Sequence, residues 1–240
     1  MNDHVALVTG GAGHIGRQTC HKLAAEGCHL VIVDKNREAA TQLADEIKTK
    51  WNRKAIELCI DLLDPTSYVQ AYETVNDSFG RLDYLVNCAA FYDEVKGWDV
   101  PFEEETDEAW QKVLRVNTMA PFFLTQKLYP LLKKSKSAAI VNVSSIYGIV
   151  GPDHGLYEGT QMTNPAAYGV SKAALQQMTQ WLSTTLAPDI RVNTVAPGGV
   201  ERGQNPTFKA RYEARVPLKR MASEDDVANA IVFLLSPKSN

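Results

Sequence analysis

The stretch HVALVTGGAGHIGR (4–17) decides the fold. Its first half is a short apolar, β-branched run, which reads as a buried strand. Its second half fits G-x-G-x-x-G with Gly11, Gly13 and Gly16. A second strand-like run, HLVIVD (29–34), ends in Asp34 about 20 residues further on. Strand, glycine loop, helix and a second strand ending in a carboxylate make the context in which this pattern marks a dinucleotide site. Glycines let the backbone turn tightly and approach a pyrophosphate, and a helix N-terminus offers its N–H groups to the anion. The residues so placed are Gly10, Gly11, Gly13, His14, Ile15 and Gly16. Asp34 would accept from an adenosine ribose and repel a 2′-phosphate, which favours NAD over NADP, although Lys35 and Arg37 could rescue NADP. The plainer alternative is a glycine turn with Asp34 as a local cap.

Outward from this stretch the pattern repeats. Strand candidates are 4–9, 29–34, 55–61, 82–87, 138–144 and 190–196. Helical patterns fill 15–26, 37–50, 66–79, 107–133, 166–187 and 224–235. Alternation of this kind predicts an α/β fold: a doubly wound parallel sheet with helices on both faces, three layers deep. No repeat or linker interrupts it, so residues 1–240 read as one domain.

Bulk properties narrow the function. The chain is 45% hydrophobic and 22% charged, as expected for a globular protein, with a net charge of -3. That charge gives no basic field for nucleic acid or anionic lipid. No apolar run approaches the ~20 residues of a membrane span, and MNDHVALVTG (1–10) lacks the pattern of a signal peptide. Cys20, Cys28, Cys59 and Cys88 form no CxxC pair. They read as buried free thiols of a cytoplasmic protein and not as a zinc site.

Ligands of such sheets bind at the carboxyl ends of the strands. Asp61 with Leu62, Asn87, Ser144 and Ser145 fall there. For any one of them a loop cap is the commoner role; their recurrence on one rim suggests a site. In TNPAAYGVSK (163–172) Asn164 is placed to cap a helix, with Pro165 in its first turn. Tyr168 and Lys172 then stand at i and i+4. An ammonium and a helix N-terminus both favour a phenolate, which suits acid–base work on an alcohol or carbonyl. The pair alone is common by chance and also reads as a surface tyrosine beside a surface lysine. Along the same helix Ala174, Met178, Trp181 and Thr185, with Leu175 and Leu182, read as a packing surface. Asn117 lies in a helical segment four residues before Pro121. Proline has no N–H, so the carbonyl of Asn117 loses its usual partner and the helix is expected to kink there. A water joining that carbonyl to Lys172 would make a proton exit; a packing kink is the plainer reading.

Taken together, the glycine loop, Asp34, Asp61, NCAA (87–90), Asn117, IVNVSS (140–145), YGVSK (168–172) and VAPGGV (195–200) resemble the short-chain dehydrogenase/reductase family over nearly the whole chain. The resemblance implies a catalytic set of Asn117, Ser145, Tyr168 and Lys172, with Ser145 and not Ser144 as the serine. It also implies that Lys172 contacts the nicotinamide ribose with Tyr168 beside it, and that Pro197, Gly198 and Val200 border the nicotinamide. A homodimer or homotetramer is implied through the helices at 107–133 and 166–187.

The chain departs from that family in several places. His14 stands where the short members have the middle glycine, so the loop looks like that of longer, nucleotide-sugar-modifying members. Ser145 and Tyr168 are 23 residues apart instead of about 13, and the surplus is the DHGLYEGTQMT region. With GQNPTF (203–208) this insert resembles a bacterial subgroup linked to flagellin or surface-glycan sugar modification. It is expected to wall the substrate site, with Tyr157 as wall or packing; the alternative is a surface or interface loop. The segment 91–110 is strongly acidic, which counts against a free nucleotide-sugar substrate. The chain stops at LLSPKSN, where the family usually adds one more strand, so either the chain is cut short or the sheet edge differs. The function so read is hydride transfer between a nicotinamide cofactor and a secondary alcohol or ketone, with a sugar or sugar derivative as the substrate hint. The rivals are a nucleotide-binding regulator without turnover, and an epimerase or dehydratase.

Overall fold

The computed structural model describes residues 1–91 and 100–239. The acidic segment read at 91–110 lies partly outside the described residues. Six strands form one sheet in the order β3-β2-β1-β4-β5-β6: β1 (Val5–Thr9), β2 (His29–Asp34), β3 (Ala55–Cys59), β4 (Tyr84–Asn87), β5 (Ala139–Val143) and β6 (Arg191–Val195). Every pairing is parallel. The strand order reverses between β1 and β4, so a crevice opens at their carboxyl ends. Thr9 closes its floor, its Oγ1 accepting from the N–H groups of Cys88 (3.1 Å) and Ala89 (3.2 Å).

The helices are α1 (His14–Ala25), α2 (Arg37–Trp51), α3 (Ser67–Phe79), α4 (Asp107–Leu114), α5 (Ala120–Leu132), α6 (Ala166–Leu186), α7 (Pro206–Arg215) and α8 (Glu224–Leu235). Strand side chains alternate between the two faces. Ala6, Val8, Leu30, Ile32 and Val141 pack on the α1, α2 and α8 side. Leu7, Val31, Val33, Leu85 and Ile140 pack on the α3, α5 and α6 side. Burial on both faces explains why the central strands are largely apolar, while the edge strands β3 and β6 carry Glu57, Arg191 and Asn193.

Several local readings change. The single helix expected over 107–133 is three pieces, because a π-helical turn covers Arg115–Met119. Asn117, where the kink is expected, lies inside this π turn, and Pro121 follows in the first turn of α5. The buried stripe of α6 is Ser171, Lys172, Leu175, Thr179 and Leu182, whereas Trp181 is 53% exposed. The N-cap of α6 is Pro165 and not Asn164. The cap is supplied from afar, since Glu105 Oε1 accepts from the Ala166 N–H at 2.9 Å. Cys20 and Cys28 are buried, but Cys59 and Cys88 are only partly so. Helix α7 has no counterpart in the sequence reading. Among the described residues no seventh strand forms, and β6 is the sheet edge. Arg191 on β6 donates to the carbonyls of Leu234, Leu235 and Ser236, closing the C-terminus of α8.

Candidate active site

A cleft of about 740 Å³ runs along the carboxyl ends of the strands. At its β1 end the glycine loop is closed by a bond from Gly13 N–H to the Gly10 carbonyl, at 3.1 Å. Gly10 has φ +60°, a conformation that favours glycine. A Cβ on Gly16 would lie 2.0 Å from the Gly10 oxygen, so only glycine lets α1 start this close to the loop. Among the described residues no side chain caps α1, and its first turn has no acidic residue. Its N–H groups therefore stand open to an anion from the cleft. Asp34 stiffens the loop, its carboxylate accepting from Ala12 N–H and Asn36 N–H, each at 3.0 Å. These features fit a bound dinucleotide: a pyrophosphate at Gly13–Gly16 and a ribose beside Asp34.

Most of the expected residues meet in this cleft. Gly10, Gly13, His14, Ile15 and Gly16 line its phosphate end, and Asp34, Asp61 and Leu62 follow. Ser145, Tyr168 and Lys172 line the other end with Pro197, Gly198 and Val200. Gly11 is different: a Cβ there would meet Ile32 and the Val8 carbonyl, so it serves packing against the sheet. The side chain of Asn87 also turns inward and donates to Asn142 Oδ1 at 2.8 Å. Asn142 in turn donates to Thr179 Oγ1 at 2.9 Å, so this chain ties β4 through β5 to α6. Neither Gly11 nor Asn87 lines the cleft.

Asn117 is 1% exposed and lies behind the site. Its amide oxygen accepts from Phe91 N–H at 2.6 Å, and its amide nitrogen donates to Ser171 Oγ at 3.1 Å. The side chain thus pins the loop after β4 to α6.

The two serines separate clearly. Ser144 Oγ donates to the Lys172 carbonyl (2.9 Å) and accepts from Gln176 (2.9 Å), which fixes it against α6. Among the described residues Ser145 Oγ accepts only from the Tyr147 N–H, at 3.2 Å, which leaves its own O–H for the cleft.

Tyr168 stands in the first turn of α6 with Lys172 one turn on. The Lys172 ammonium lies 5.7 Å from the Tyr168 ring and donates to the Val143 carbonyl at 2.8 Å. Burial pulls its pKa from 10.5 down to about 8. This has a thermodynamic sign. The folded lysine releases its proton near pH 8 and the unfolded one near 10.5, so between these values the unfolded chain holds more protons and stability rises with pH. Below pH 8 the buried ammonium costs about 3 kcal/mol. Lys172→Met is therefore expected to stabilise the cofactor-free chain at pH 7, with most of that gain gone by pH 10. Urea unfolding at the two pH values checks this; a gain that does not shrink would contradict it.

The insert and Tyr157, expected to wall the substrate end, line the cleft there, whereas sequence reasoning missed Tyr147, Phe208, Tyr212 and Met221 beside them. Tyr147, Tyr157, Met162, Phe208, Tyr212 and Met221 pack together there. Tyr157 and Met162 belong to the insert, which thus lines the cleft. Asp153 of the insert pairs with Arg215 of α7 at 2.9 Å, and Arg211 donates to the Glu158 carbonyl. Tyr212 Oη accepts from Gly199 N–H at 2.6 Å. The signal for α7 was Asn205-Pro206, a capping residue followed by a first-turn proline.

A parallel sheet whose crevice holds a glycine loop, a strand-end carboxylate, a serine and a half-buried tyrosine beside a buried lysine defines a nicotinamide-dependent oxidoreductase framework. The family model for short chain dehydrogenase matches residues 4–212, and the chain belongs to that family. The 3-oxoacyl-(acyl-carrier-protein) reductase FabG of Aquifex aeolicus is 32% identical over 98% of this chain and 91% of its own. Post-translational flagellin modification protein A of Campylobacter coli is 27% identical over 100% and 93%. Among solved structures, NAD+-bound xylitol dehydrogenase superposes with a TM-score of 0.87 at 26% identity, covering 99% of this chain and 94% of that one. L-sorbose reductase from Gluconobacter frateurii, complexed with NADPH and L-sorbose, gives 0.85 at 28% identity over 100% and 92%.

Proposed function

We propose that this oxidoreductase reduces a ketone, or oxidises the matching secondary alcohol, with NAD as its preferred cofactor and a sugar or sugar derivative as substrate. The cofactor, when bound, supplies the hydride. Tyr168 gives a proton to, or takes one from, the substrate oxygen. Ser145 donates to the same oxygen through its uncommitted O–H and steadies the developing charge. Lys172, buried and cationic below about pH 8, stabilises negative charge on the tyrosine oxygen. Asn117 holds the loop after β4, and its carbonyl offers a route for protons from Lys172 through water. The observation that carries this reading is the meeting of Ser145, Tyr168 and Lys172 in one cleft with the glycine loop. Met119, Phe123 and Trp181, exposed on α5, α6 and the π turn, support a homodimer or homotetramer.

The NAD preference rests on Asp34, whose carboxylate lines the cleft and opposes a 2′-phosphate. Asp34→Asn removes the charge and keeps one of the two acceptors that hold the Ala12 and Asn36 N–H groups. Its ratio of kcat/KM with NADH to that with NADPH is expected to fall about tenfold or more. Steady-state rates with the two cofactors measure this, and an unchanged ratio would refute the role given to Asp34.

A further inference from the structure

Tyr147 and Tyr157 hydrogen-bond to each other through their hydroxyls, at the substrate end of the cleft. Tyr147 lies two residues after Ser145, and the Tyr157 phenol is close enough to feel the charge of Tyr168. Both residues line the cleft together with Ser145 and Tyr168. Burial raises both of their pKa values, so the pair stays neutral.

Two phenols carry two O–H groups, and their mutual bond consumes one. The amide of Asn164 lies beside Tyr157 and acts on it as a donor would. With Asn164 donating to Tyr157 and Tyr157 to Tyr147, the O–H of Tyr147 is left over. Among the described residues, Tyr147 Oη has no other hydrogen-bond partner. The surroundings are apolar: the Phe208 ring is 5.2 Å from that of Tyr157, and Met162 and Met221 close the group. Phenylalanine at either position would fill the same space without burying a polar group that needs a partner. A wall shaped only for a hydrocarbon chain has no use for the two hydroxyls.

We infer that the Tyr147–Tyr157 pair binds a hydroxyl of the substrate on the carbon next to the reacting one, so that the cleft selects hydroxy ketones and vicinal diols over plain ketones and alcohols. A hydroxyl both donates and accepts, which matches a neutral phenol pair; a carboxylate or phosphate only accepts. The aromatic rings pack against the C–H face of such a substrate. This inference rests on the oxidoreductase reading of the same cleft.

The test separates binding from turnover. Tyr168→Phe is saturated with NADH and titrated with cyclohexanone and with 2-hydroxycyclohexanone, following nicotinamide fluorescence. The hydroxy ketone is expected to bind about tenfold more tightly. Adding Tyr157→Phe, or separately Tyr147→Phe, is expected to bring the two ketones within about twofold of each other. Equal binding before these changes, or a preference that survives both of them, overturns the inference. So does an equal loss for both ketones with a lowered melting temperature, which marks a packing role. Failure of the oxidoreductase reading looks different: the unmodified chain would oxidise no NADH with either ketone even where the binding preference holds.

Discussion

Tyr168→Phe is expected to lower kcat about a thousandfold, within the range a positioned acid–base group contributes. The change removes one oxygen and leaves the ring, so the contact with the Lys172 ammonium at 5.7 Å is retained and folding is little affected. NADH binding should weaken by a few-fold at most, because the glycine loop and Asp34 are untouched. Stopped-flow measurement of NADH oxidation, beside a fluorescence titration of NADH, reads both quantities. Full activity in this variant would remove the proposed role of Tyr168. A residual rate that no longer depends on pH where the parent does would place Tyr168 in the proton step.

Gly16→Ala should do the most damage at the cofactor end. The added methyl would lie 2.0 Å from the Gly10 oxygen and 2.9 Å from the Gly11 Cα. Both obstacles are backbone, so the loop or the start of α1 must move. Overpacking of this kind costs about 1–3 kcal/mol or more, and a displaced loop cannot present its N–H groups to a pyrophosphate. NADH affinity is expected to drop about a hundredfold or more, together with a lower urea midpoint. Gly13→Ala, in the same loop, is the milder comparison: its Cβ would meet the Gly10 oxygen at 3.2 Å, a tight contact that asks for a much smaller shift. Equal behaviour of the two variants would show that the close approach at Gly16 does not govern binding.

The central strands were legible because each is a short, largely apolar run, and the edge strands β3 and β6 because their short runs, with β-branched residues, alternate with helical segments. The site rim followed from strand ends, as Asp34, Asp61 and Ser145 show. What stayed hidden depends on contacts between residues far apart in the chain. The cap of α6 is Glu105, 61 positions from Ala166, while Asn164 next door had the right residue type. Asn87 and Gly11 stand in the right motifs, yet one faces Asn142 and the other Ile32, and no local pattern states which way a side chain turns. Helix α7 escaped because PTFKARYEAR lacks a continuous apolar stripe; it is held by Phe208 and by the insert.

The Asp153–Arg215 pair and the Arg211–Glu158 contact join the insert to α7, and neither involves Ser145, Tyr168 or Lys172. On the proposed reading, substrate choice falls to a cassette hung on two chain segments, while the chemistry falls to strand ends and α6. Evolution can exchange the first without reworking the second, provided both segments change together. A graft of the insert alone would leave Arg211 and Arg215 facing the wrong partners, so a laboratory attempt to move specificity between relatives should transplant 153–163 and 203–215 as one unit.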